Sequence, residues 1–303
     1  MSARGGKGAS ARACKRARTA ASTRACTGAW AELAKPATRI RTAVFTNELG
    51  IPARLDFDGR DASAIHVVLW RGRRAVATGR LDHKGTRIGR VAVLPAWRKR
   101  GLGAEVVDRL IREAVRMGSA SVSLHAQETA VSFYRRLGFQ ENGPSFMEAG
   151  ILHSPMVRTL SWLDSTAAVL LRGNRFLLGK RAEGLIMGGR WDLFGGKREP
   201  GETARTTLRR ELREELSIRA RIGPEIAVSL YDDPRGRGIF RCPVHLVSEW
   251  SGTVRLNEEH SEAAWFSRAG LARLALAHPD IIVLCRSAQA MSGGAGGRRA
   301  RGR

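Results

Sequence analysis

Alternating apolar and polar positions predict several β-strands in the first half of the chain. The segments AIHVVLW (residues 64–70) and AVATGRL (75–81), joined by RGRR, have the pattern of a hairpin, and RIGRVAVLP (87–95) and SVSLHA (121–126) are further candidate strands. Apolar residues at helical spacing follow and predict a helix to about Met117: Leu102, Val106, Val107, Leu110, Ile111, Ala114 and Val115. The chain therefore leaves a strand, turns through AWRKRGLG and enters a helix.

The second half begins with another hairpin pattern and continues into an amphipathic helix. STAAVLLRGNRFLLGKR (residues 165–181) has the pattern of two strands around a Gly173-Asn174 turn. Pro200-Gly201 then breaks the chain before a helix that starts near Thr203. The apolar stripe of this helix consists of Ala204, Leu208, Leu212 and Leu216.

Three glutamates share the neighbouring face of that helix: Glu211, Glu214 and Glu215. Carboxylates at this spacing repel one another unless a cation lies among them, and hard oxygen ligands suit Mg²⁺ or Mn²⁺. The alternative is a solvated face stabilised by i, i+4 ion pairs such as Arg210 with Glu214.

Length and composition predict two compact domains. The chain has 303 residues and an apolar content of 43%, so we expect domains at residues 39–160 and 165–287. We find no run of about 18 apolar residues and no secretory signal, which predicts a cytoplasmic protein with no membrane partner. The four cysteines show no zinc-ligand spacing, so we expect free thiols.

The formal charge of +24 is concentrated towards the ends of the chain. We expect residues 1–38 and 288–303 to be disordered basic tails, because their compositions cannot bury enough apolar surface to fold. Such tails attract nucleic acid nonspecifically without implying a biological nucleic-acid partner. An organellar transit peptide is the alternative for the N-terminal tail.

The turn after VAVLP has the pattern R-x-x-G-x-G, formed by Arg98, Gly101 and Gly103. Glycines allow a close approach of the backbone to a ligand, and the N-terminus of a helix favours an anion. With the flanking strand and helix, SVSLHAQ, AVSFYRRLGF and FMEAGILHSPM, this turn resembles the acyl-CoA-binding core of GNAT N-acyltransferases from about Arg39 to Leu160.

That resemblance implies acetyl-CoA as a cosubstrate, an amine of unknown identity as acceptor, and a tyrosine, Tyr134, that protonates the departing thiolate. Tyr134 could instead belong to the core. The glutamate that many relatives use as a general base is missing, and His66, His125, Glu148 and His153 are possible substitutes. The implied CoA contacts are Val93, Arg98, Lys99, Arg100, Gly101, Leu102 and Gly103.

The spacing from Gly196 through Glu202 to Arg210-Glu211-Leu212-x-Glu214-Glu215-x-Ser217-Ile218 resembles the Nudix hydrolase signature over its whole length. One position departs, because Ser217 stands where the family has a glycine. The resemblance implies hydrolysis of a nucleoside di- or triphosphate with Mg²⁺ or Mn²⁺. The stretch GLIMGGRWDLFGGK resembles the branch that acts on nucleoside triphosphates, including oxidised purines such as 8-oxo-dGTP.

The Nudix resemblance also implies residue roles. Its implied metal ligands are the Gly195 carbonyl, Glu211, Glu214, Glu215 and Glu262. Glu211 is the best candidate base, Arg210 holds Glu202, and Arg181 and Lys197 contact phosphates. Glu262 could instead have a surface role, and Trp191 either stacks on the base or belongs to the core.

Together the two resemblances predict an α+β chain with two domains, a GNAT-like mixed sheet flanked by helices and a Nudix α/β/α sandwich. We expect both domains to be enzymes. One alternative is that the GNAT-like half is a sensor of acyl-CoA and only the Nudix half is catalytic. Another is that the GNAT-like half recruits CoA as a substrate of the Nudix half.

Overall fold

The computed structural model describes residues 23–296, which divide into two compact units, one of residues 23–111 and 123–157 and the other of residues 112–122 and 158–296. Each unit combines helices with β-sheets, which confirms the expected α+β class. Within residues 23–296, no helix is both long and apolar enough to cross a membrane. Cys26, Cys242 and Cys285 are free thiols.

The first unit contains two four-stranded sheets and four α-helices. The first sheet has the order β1-β2-β3-β4, and all of its pairs are antiparallel. The second sheet has the order β5-β8-β6, and β7 pairs with β8. The strands are β1 (Thr23–Ala29), β2 (Ile65–Arg71), β3 (Arg74–Leu81), β4 (Ile88–Val93), β5 (Ser121–Gln127), β6 (Gln140–Glu141), β7 (Phe146–Glu148) and β8 (Ile151–Thr159). The helices are α1 (Trp30–Arg41), α2 (Ala53–Asp56), α3 (Leu102–Met117) and α4 (Val131–Arg136), with a π-helical turn at Thr42–Glu48.

Helix α3 confirms the apolar stripe predicted from the sequence. All seven of its stripe residues are buried, with exposures between 0% and 5%. The helix ends at Met117, as the spacing predicts.

Strands β4 and β5 touch at one point and then separate. The amide of Ser123 donates a hydrogen bond to the Thr86 carbonyl at 2.8 Å, and Arg87 and Ser123 form an isolated parallel bridge. Beyond this bridge no ladder between β4 and β5 occurs in residues 23–296. A cleft of about 1450 Å³ opens there.

The expectation of a tail at residues 1–38 is wrong for residues 23–38, whereas residues 1–22 lie outside the described part. Strand β1 pairs with β2 from Thr23–Arg71 to Ala29–Ile65. Helix α1 buries Leu33, Ala37 and Ile40, which are spaced i, i+4, i+7 against the sheet. This three-residue stripe is short, and the basic composition around it conceals it.

The second unit is a sandwich built on a seven-stranded sheet. The main path is β11-β10-β9-β15-β14, with β12 paired to β9 and β17 paired to β10, and β15 runs parallel to β9. The strands are β9 (Leu163–Arg172), β10 (Arg175–Arg181), β11 (Trp191–Asp192), β12 (Phe194–Lys197), β13 (Arg219–Arg221), β14 (Glu225–Asp232), β15 (Ile239–Val247), β16 (Glu249–Ser251) and β17 (His260–Ser267). The helices are α5 (Ala204–Leu216), α6 (Arg268–Leu271) and α7 (Ile281–Gly296).

Strand β9 shows why the sheet is covered on both faces. Ala168 and Leu170 belong to the cluster that holds Leu212 of α5, whereas Val169 and Leu171 belong to the cluster of α7. Side chains alternate across a strand, so a nearly continuous apolar run covers both faces. This arrangement confirms the expected α/β/α sandwich.

The expectation of a tail from residue 288 is also wrong for residues 288–296, because α7 continues to Gly296 and Ala288 is fully buried. Residues 297–303 lie outside the described part. The domain therefore ends later than residue 287. Ile281, Leu284 and Cys285 at the start of α7 are buried against the seven-stranded sheet. The small residues that follow continue the same helix.

Helix α5 has a side-chain cap at its start and an unusual residue at its end. Thr203 Oγ1 accepts a hydrogen bond from the Thr206 amide at 3.2 Å, which confirms the predicted start. Ser217 adopts the left-handed conformation with φ +56°. A helix commonly ends this way on glycine, and Ser217 carries the steric cost of its Cβ.

We expect Ile40→Ala to lower the free energy of unfolding by about 2–5 kcal/mol, because it leaves a cavity where α1 meets the first sheet. The exposed Leu55 provides a control, and Leu55→Ala should change stability by less than about 0.5 kcal/mol. Chemical unfolding followed by circular dichroism measures both. Equal effects of the two substitutions would show that α1 is not part of the core.

We expect Ser217→Gly to raise the free energy of unfolding by about 0.5–1 kcal/mol. Glycine removes roughly 1–2 kcal/mol of left-handed strain but loses part of that gain to its greater freedom in the unfolded chain. Arg213→Gly, within the helical part of α5, should instead destabilise by about 1 kcal/mol. The same sign for both variants in thermal unfolding would contradict this assignment.

Candidate functional site

The R-x-x-G-x-G turn forms one wall of the cleft in the first unit. Lys99 and Gly101 have positive φ angles of 59° and 77°, and α3 begins directly after them. The first amides of a helix lack intrahelical partners and favour an anion. Six of the seven predicted CoA contacts line this cleft, namely Val93, Arg98, Lys99, Gly101, Leu102 and Gly103.

Two arginines of the turn are held by neighbouring side chains. The guanidinium of Arg98 donates to both carboxylate oxygens of Glu48 at 2.6 Å, and this pair holds the pKa of Glu48 below its usual range. Arg100 lies over the ring of Trp97 at 5.1 Å and does not line the cleft. The structure therefore favours main-chain amides over arginine side chains as the anion contacts.

Tyr134 lines the same cleft from α4. Its ring packs edge-on against Phe133 at 4.9 Å and Phe139 at 5.8 Å. Burial among these rings raises the pKa of the phenol, so its O–H keeps its proton at neutral pH. Tyr134 thus combines core packing with access to the cleft, and the two roles considered from the sequence are compatible.

The four candidate bases have different surroundings. His66 is buried at 1% exposure with Nε2 3.0 Å from the Asp61 carbonyl, and it does not line the cleft. His125, Glu148 and His153 do line it. His125 Nδ1 lies 3.1 Å from Glu148 Oε2, whereas His153 Nδ1 lies 2.9 Å from the Ile151 carbonyl.

Arginine and aspartate side chains also line the cleft, and the sequence did not predict their contacts. Arg90, within β4, has a positive φ of 55° and donates to the Asp56 and Leu55 carbonyls at 2.9 and 2.8 Å. Arg80 pairs with Asp58 at 2.7 Å. These ion pairs connect the segment after α1 to β3 and β4, and no short-range sequence pattern indicates such pairs.

In the second unit the glutamates of α5 take three different positions. Glu211 lines a cavity of about 880 Å³, Glu215 is buried at 2% exposure, and Glu214 is exposed. Glu214 Oε2 accepts a hydrogen bond from Arg210 at 3.2 Å, the i, i+4 pair considered from the sequence. The helix therefore brings two of the three carboxylates towards the sheet.

Glu215 is the most perturbed carboxyl group near the cavity. Burial raises its pKa to about 9, and the neighbouring charges of Glu211 and Glu259 act in the same direction. The Gly195 amide donates to Oε2 at 2.8 Å. His260 Nδ1 lies 4.0 Å from Oε1, and burial lowers the pKa of this imidazole to about 4.

Two glycines of β12 allow close packing here, Gly196 against the Glu211 carboxylate and Gly195 against the backbone of β9. A Cβ at Gly196 would come within 2.2 Å of Glu211 Oε1, and a Cβ at Gly195 would come within 2.2 Å of the Thr166 carbonyl. Both positions therefore exclude any larger residue. Burial raises the pKa of Glu211, although Arg210 Nη1 donates to Oε1 at 2.9 Å.

Arg210 also holds the loop before the helix. Its Nε and Nη2 donate to Glu202 at 3.0 and 3.1 Å, and its Nη2 donates to the Lys197 carbonyl at 3.1 Å. The Arg210 bonds, the Glu199 amide at 3.1 Å and Thr207 at 2.8 Å hold the pKa of Glu202 at about 2. Glu202 is therefore ionised at neutral pH, and its carboxylate holds the guanidinium of Arg210 in place.

The later carboxylate predicted at Glu262 lies elsewhere. Glu262 is exposed on β17 opposite Lys180, and it does not line the cavity. Glu259 lines the cavity instead and raises the pKa of both Glu211 and Glu215. Side chains alternate along β17, and the sequence alone does not show where that strand begins.

The far side of the cavity carries an aromatic wall. Tyr231 stacks on Phe240 at 5.0 Å and lies 4.4 Å from His278. Burial raises the pKa of Asp192 beside it. Trp191 does not line the cavity but packs into the core, edge-on to Phe266 at 4.7 Å.

Cationic side chains also border this cavity. Arg181 Nε donates to the Ile186 carbonyl at 2.8 Å, and this hydrogen bond holds the guanidinium beside the loop after β10. The sequence predicts phosphate contacts at Arg181 and Lys197, and the structure adds two arginines of the β14–β15 loop. The cations that line the cavity are Arg181, Lys197, Arg210, Arg235 and Arg237.

The carboxylates fit a divalent cation by their chemistry. In the described residues, no group of three His, Cys, Asp or Glu side chains is drawn together as a formed metal centre. The raised pKa values of Glu211 and Glu215 nevertheless show carboxylates held together against desolvation and repulsion. A cation bound beside these oxygens would remove both penalties.

Comparison with known proteins supports the division of the chain. The acetyltransferase (GNAT) domain family matches residues 51–160, and the NUDIX domain family matches residues 162–285. The uncharacterized protein YyaT of Bacillus subtilis is 33% identical over 130 residues, which cover 41% of this chain and 88% of that protein. The CTP pyrophosphohydrolase of Escherichia coli is 35% identical over 125 residues, which cover 41% of this chain and 90% of the enzyme.

A solved structure matches as well. The acyl-CoA N-acyltransferase from Pseudomonas aeruginosa is 28% identical with a TM-score of 0.41, and the match covers 46% of this chain and all of that protein. The two family matches adjoin and do not overlap. The chain therefore belongs to both families, with a GNAT acetyltransferase domain followed by a Nudix hydrolase domain.

Proposed function

We propose that the Nudix domain hydrolyses a phosphoanhydride bond of a nucleoside triphosphate with the help of Mg²⁺ or Mn²⁺. The observation that carries this proposal is the gathering of buried Glu215 with Glu211 and Glu259 beside Gly195, at one wall of the cavity. The similarity to a CTP pyrophosphohydrolase supports a nucleotide as the substrate.

Each side chain near the carboxylates has a separate task in this proposal. Glu211, Glu215, Glu259 and the Gly195 carbonyl would hold the cation, which supplies Lewis-acid neutralisation of phosphate charge when bound. Glu211 also takes a proton from the attacking water, since its carboxylate lines the cavity. Arg210 keeps Glu211 in place through the 2.9 Å hydrogen bond.

The opposite wall would bind the nucleoside. Tyr231 offers an aromatic surface for stacking, and Asp192, with its raised pKa, offers a polar group to the edge of the base. Arg181 and Lys197 lie on the cavity wall and would contact phosphates. A panel of nucleoside triphosphates, 8-oxo-dGTP, dinucleotides and CoA, scored for release of phosphate or pyrophosphate, identifies the substrate.

In the GNAT domain, we propose transfer of the acetyl group from acetyl-CoA to an amine. The amine nitrogen forms a bond to the thioester carbonyl carbon as the carbon–sulfur bond breaks. Tyr134 donates its proton to the departing thiolate, because burial keeps the phenol neutral until that step. The amides at the start of α3 would bind the pyrophosphate of CoA.

We expect Glu215→Gln to reduce nucleotide hydrolysis by about two to three orders of magnitude, because metal assistance contributes several kcal/mol and each ~1.4 kcal/mol is tenfold in rate. Glu262→Gln is the matched control, and its exposed carboxylate should be dispensable. Steady-state release of pyrophosphate at saturating Mg²⁺ measures both. Native turnover in Glu215→Gln would contradict the proposed role.

The same variant has a readout that does not depend on activity. The folded-state pKa of Glu215 is raised from 4.5 to about 9, so metal-free native protein should lose stability as the pH rises through this interval. Glu215→Gln should not show this loss. Added Mg²⁺ should raise the melting temperature of the native protein at pH 8 and leave that of Glu215→Gln nearly unchanged.

We expect Gly101→Ala to weaken acetyl-CoA binding about tenfold, because roughly 1–2 kcal/mol of left-handed strain opposes the turn and ~1.4 kcal/mol is tenfold in affinity. Gly72→Ala is a matched control, since Gly72 also has a positive φ and open space around its Cα, but lies in the β2–β3 turn. Both variants should lose similar stability. Calorimetric titration with acetyl-CoA should distinguish them, and equal affinities would refute the site.

A further inference from the structure

Strands β4 and β5 divide the GNAT cleft into two ends. The glycine-rich turn follows the carboxyl end of β4, and the single bridge between Arg87 and Ser123 closes the other end. The five steps from Ile88 to Val93 span about 17 Å at ~3.3 Å per residue. A thioester attached to CoA at the turn would therefore lie along β4, and an acceptor would approach from the end near the bridge.

His125 lies where the two strands begin to separate. It is two residues after Ser123 on β5 and has the same half-buried side as Ser123, because side chains alternate along the strand. The edge of its ring packs against Phe146 at 4.7 Å, and Phe146 also stacks on His153 at 6.2 Å. Aromatic packing therefore fixes the plane of the imidazole.

Glu148 determines which nitrogen of His125 is free. Its Oε2 lies 3.1 Å from Nδ1, and in the tautomer that donates from Nδ1 to this carboxylate, Nε2 has the lone pair. The pKa of Glu148 lies below its ordinary value, since hydrogen bonding to His125 and the charges of His153 and Arg87 outweigh burial. His153, by contrast, uses its Nδ1 for the Ile151 carbonyl.

The contact of Arg87 with His125 indicates which kind of group can bind beside His125 and Glu148. Its Nη2 lies 3.1 Å from Nε2 and 2.7 Å from Nδ1 of His125. The shorter of these contacts is the one to Nδ1, and only in the tautomer that donates from Nδ1 to Glu148 is Nε2 the nitrogen that accepts from Arg87. Arg87 is exposed, so another cationic N–H donor can take the place of its guanidinium.

We propose that His125 and Glu148 form the acceptor site, where Glu148 attracts the ammonium group of a primary amine and His125 Nε2 removes its proton. This inference rests on the proposed acetyl transfer. After the proton moves to His125, the nitrogen lone pair bonds to the acetyl carbonyl carbon. The second nitrogen proton replaces the one that Tyr134 gives to sulfur, and the proton on His125 leaves to solvent.

The test uses acetyl-CoA with two small amines, ethanolamine and hydroxylamine, and follows thiol release. Ethanolamine is an ammonium ion at pH 7.5 and needs a base, whereas hydroxylamine is already neutral. We expect His125→Asn to lower kcat with ethanolamine about a hundredfold and to change the rate with hydroxylamine less than about threefold. Asparagine keeps a donor towards Glu148, so the fold should be retained.

Two further variants separate a chemical role from a structural one. Glu148→Gln should move the acid limb of the ethanolamine pH profile to lower pH, because the imidazolium loses a neighbouring negative charge while Arg87 and His153 remain. The exposed Glu141, which does not line the cleft, provides the control, and Glu141→Gln should match the native protein with both amines. Acetyl-CoA affinity, measured by calorimetry, should be the same in all four proteins.

An equal loss of rate with both amines in His125→Asn would overturn the proposal, since a distorted cleft impairs both reactions. A native rate with ethanolamine in that variant, or an unmoved pH profile in Glu148→Gln, would also overturn it. If the native protein released no thiol above the amine-free blank, the proposed acetyl transfer itself would fail. That outcome is distinct from the loss of His125 as the base.

Discussion

The close contact between β12 and α5 is the constraint on which the Nudix site depends. Gly195 and Gly196 bring the backbone of the strand against the carboxylates of the helix, and a Cβ at either position would overlap a neighbouring atom. Leu208, Leu212 and Leu216 fix the helix from the other side, because each is fully buried in the core. Apolar burial therefore holds two carboxylates where their own electrostatics oppose them.

The GNAT cleft depends on a different constraint, the separation of two parallel strands. Where two strands separate, their backbone N–H and C=O groups lose their partners in the sheet. These groups must then form hydrogen bonds with water or a ligand. The positive φ of Arg90 and its bonds to the Asp56 and Leu55 carbonyls hold β4 in its irregular path. The GNAT cleft is therefore formed where regular strand pairing stops.

Local patterns predicted the parts of the fold that local forces determine. The stripe of α3 follows from the spacing of apolar residues, and the start of α5 at Thr203 follows from the break at Pro200-Gly201. The short stripe of α1 was missed because basic residues dominate its composition. Burial of Leu33, Ala37 and Ile40 against the first sheet stabilises the helix in spite of that composition.

The candidate sites were predictable where a motif fixes the spacing and not where two distant segments meet. Arg210 and Glu202 are eight residues apart within the signature, and they pair. Glu259 reaches the cavity from the turn before β17 and Tyr231 from β14, so their positions depend on where those strands begin and end. Trp191 belongs to the core for the same reason, because its strand turns Asp192 and not the indole towards the cavity.

The bidentate pair of Arg98 with Glu48 affects how the glycine-rich turn responds to ionic strength. The pair neutralises the guanidinium, so an anion received at this turn meets main-chain dipoles at short range. Mobile ions screen attraction between separated charges over about 8–10 Å at physiological salt but have little effect on groups in direct contact. Binding at the turn should therefore persist at salt concentrations that abolish the diffuse attraction of anions to this basic chain.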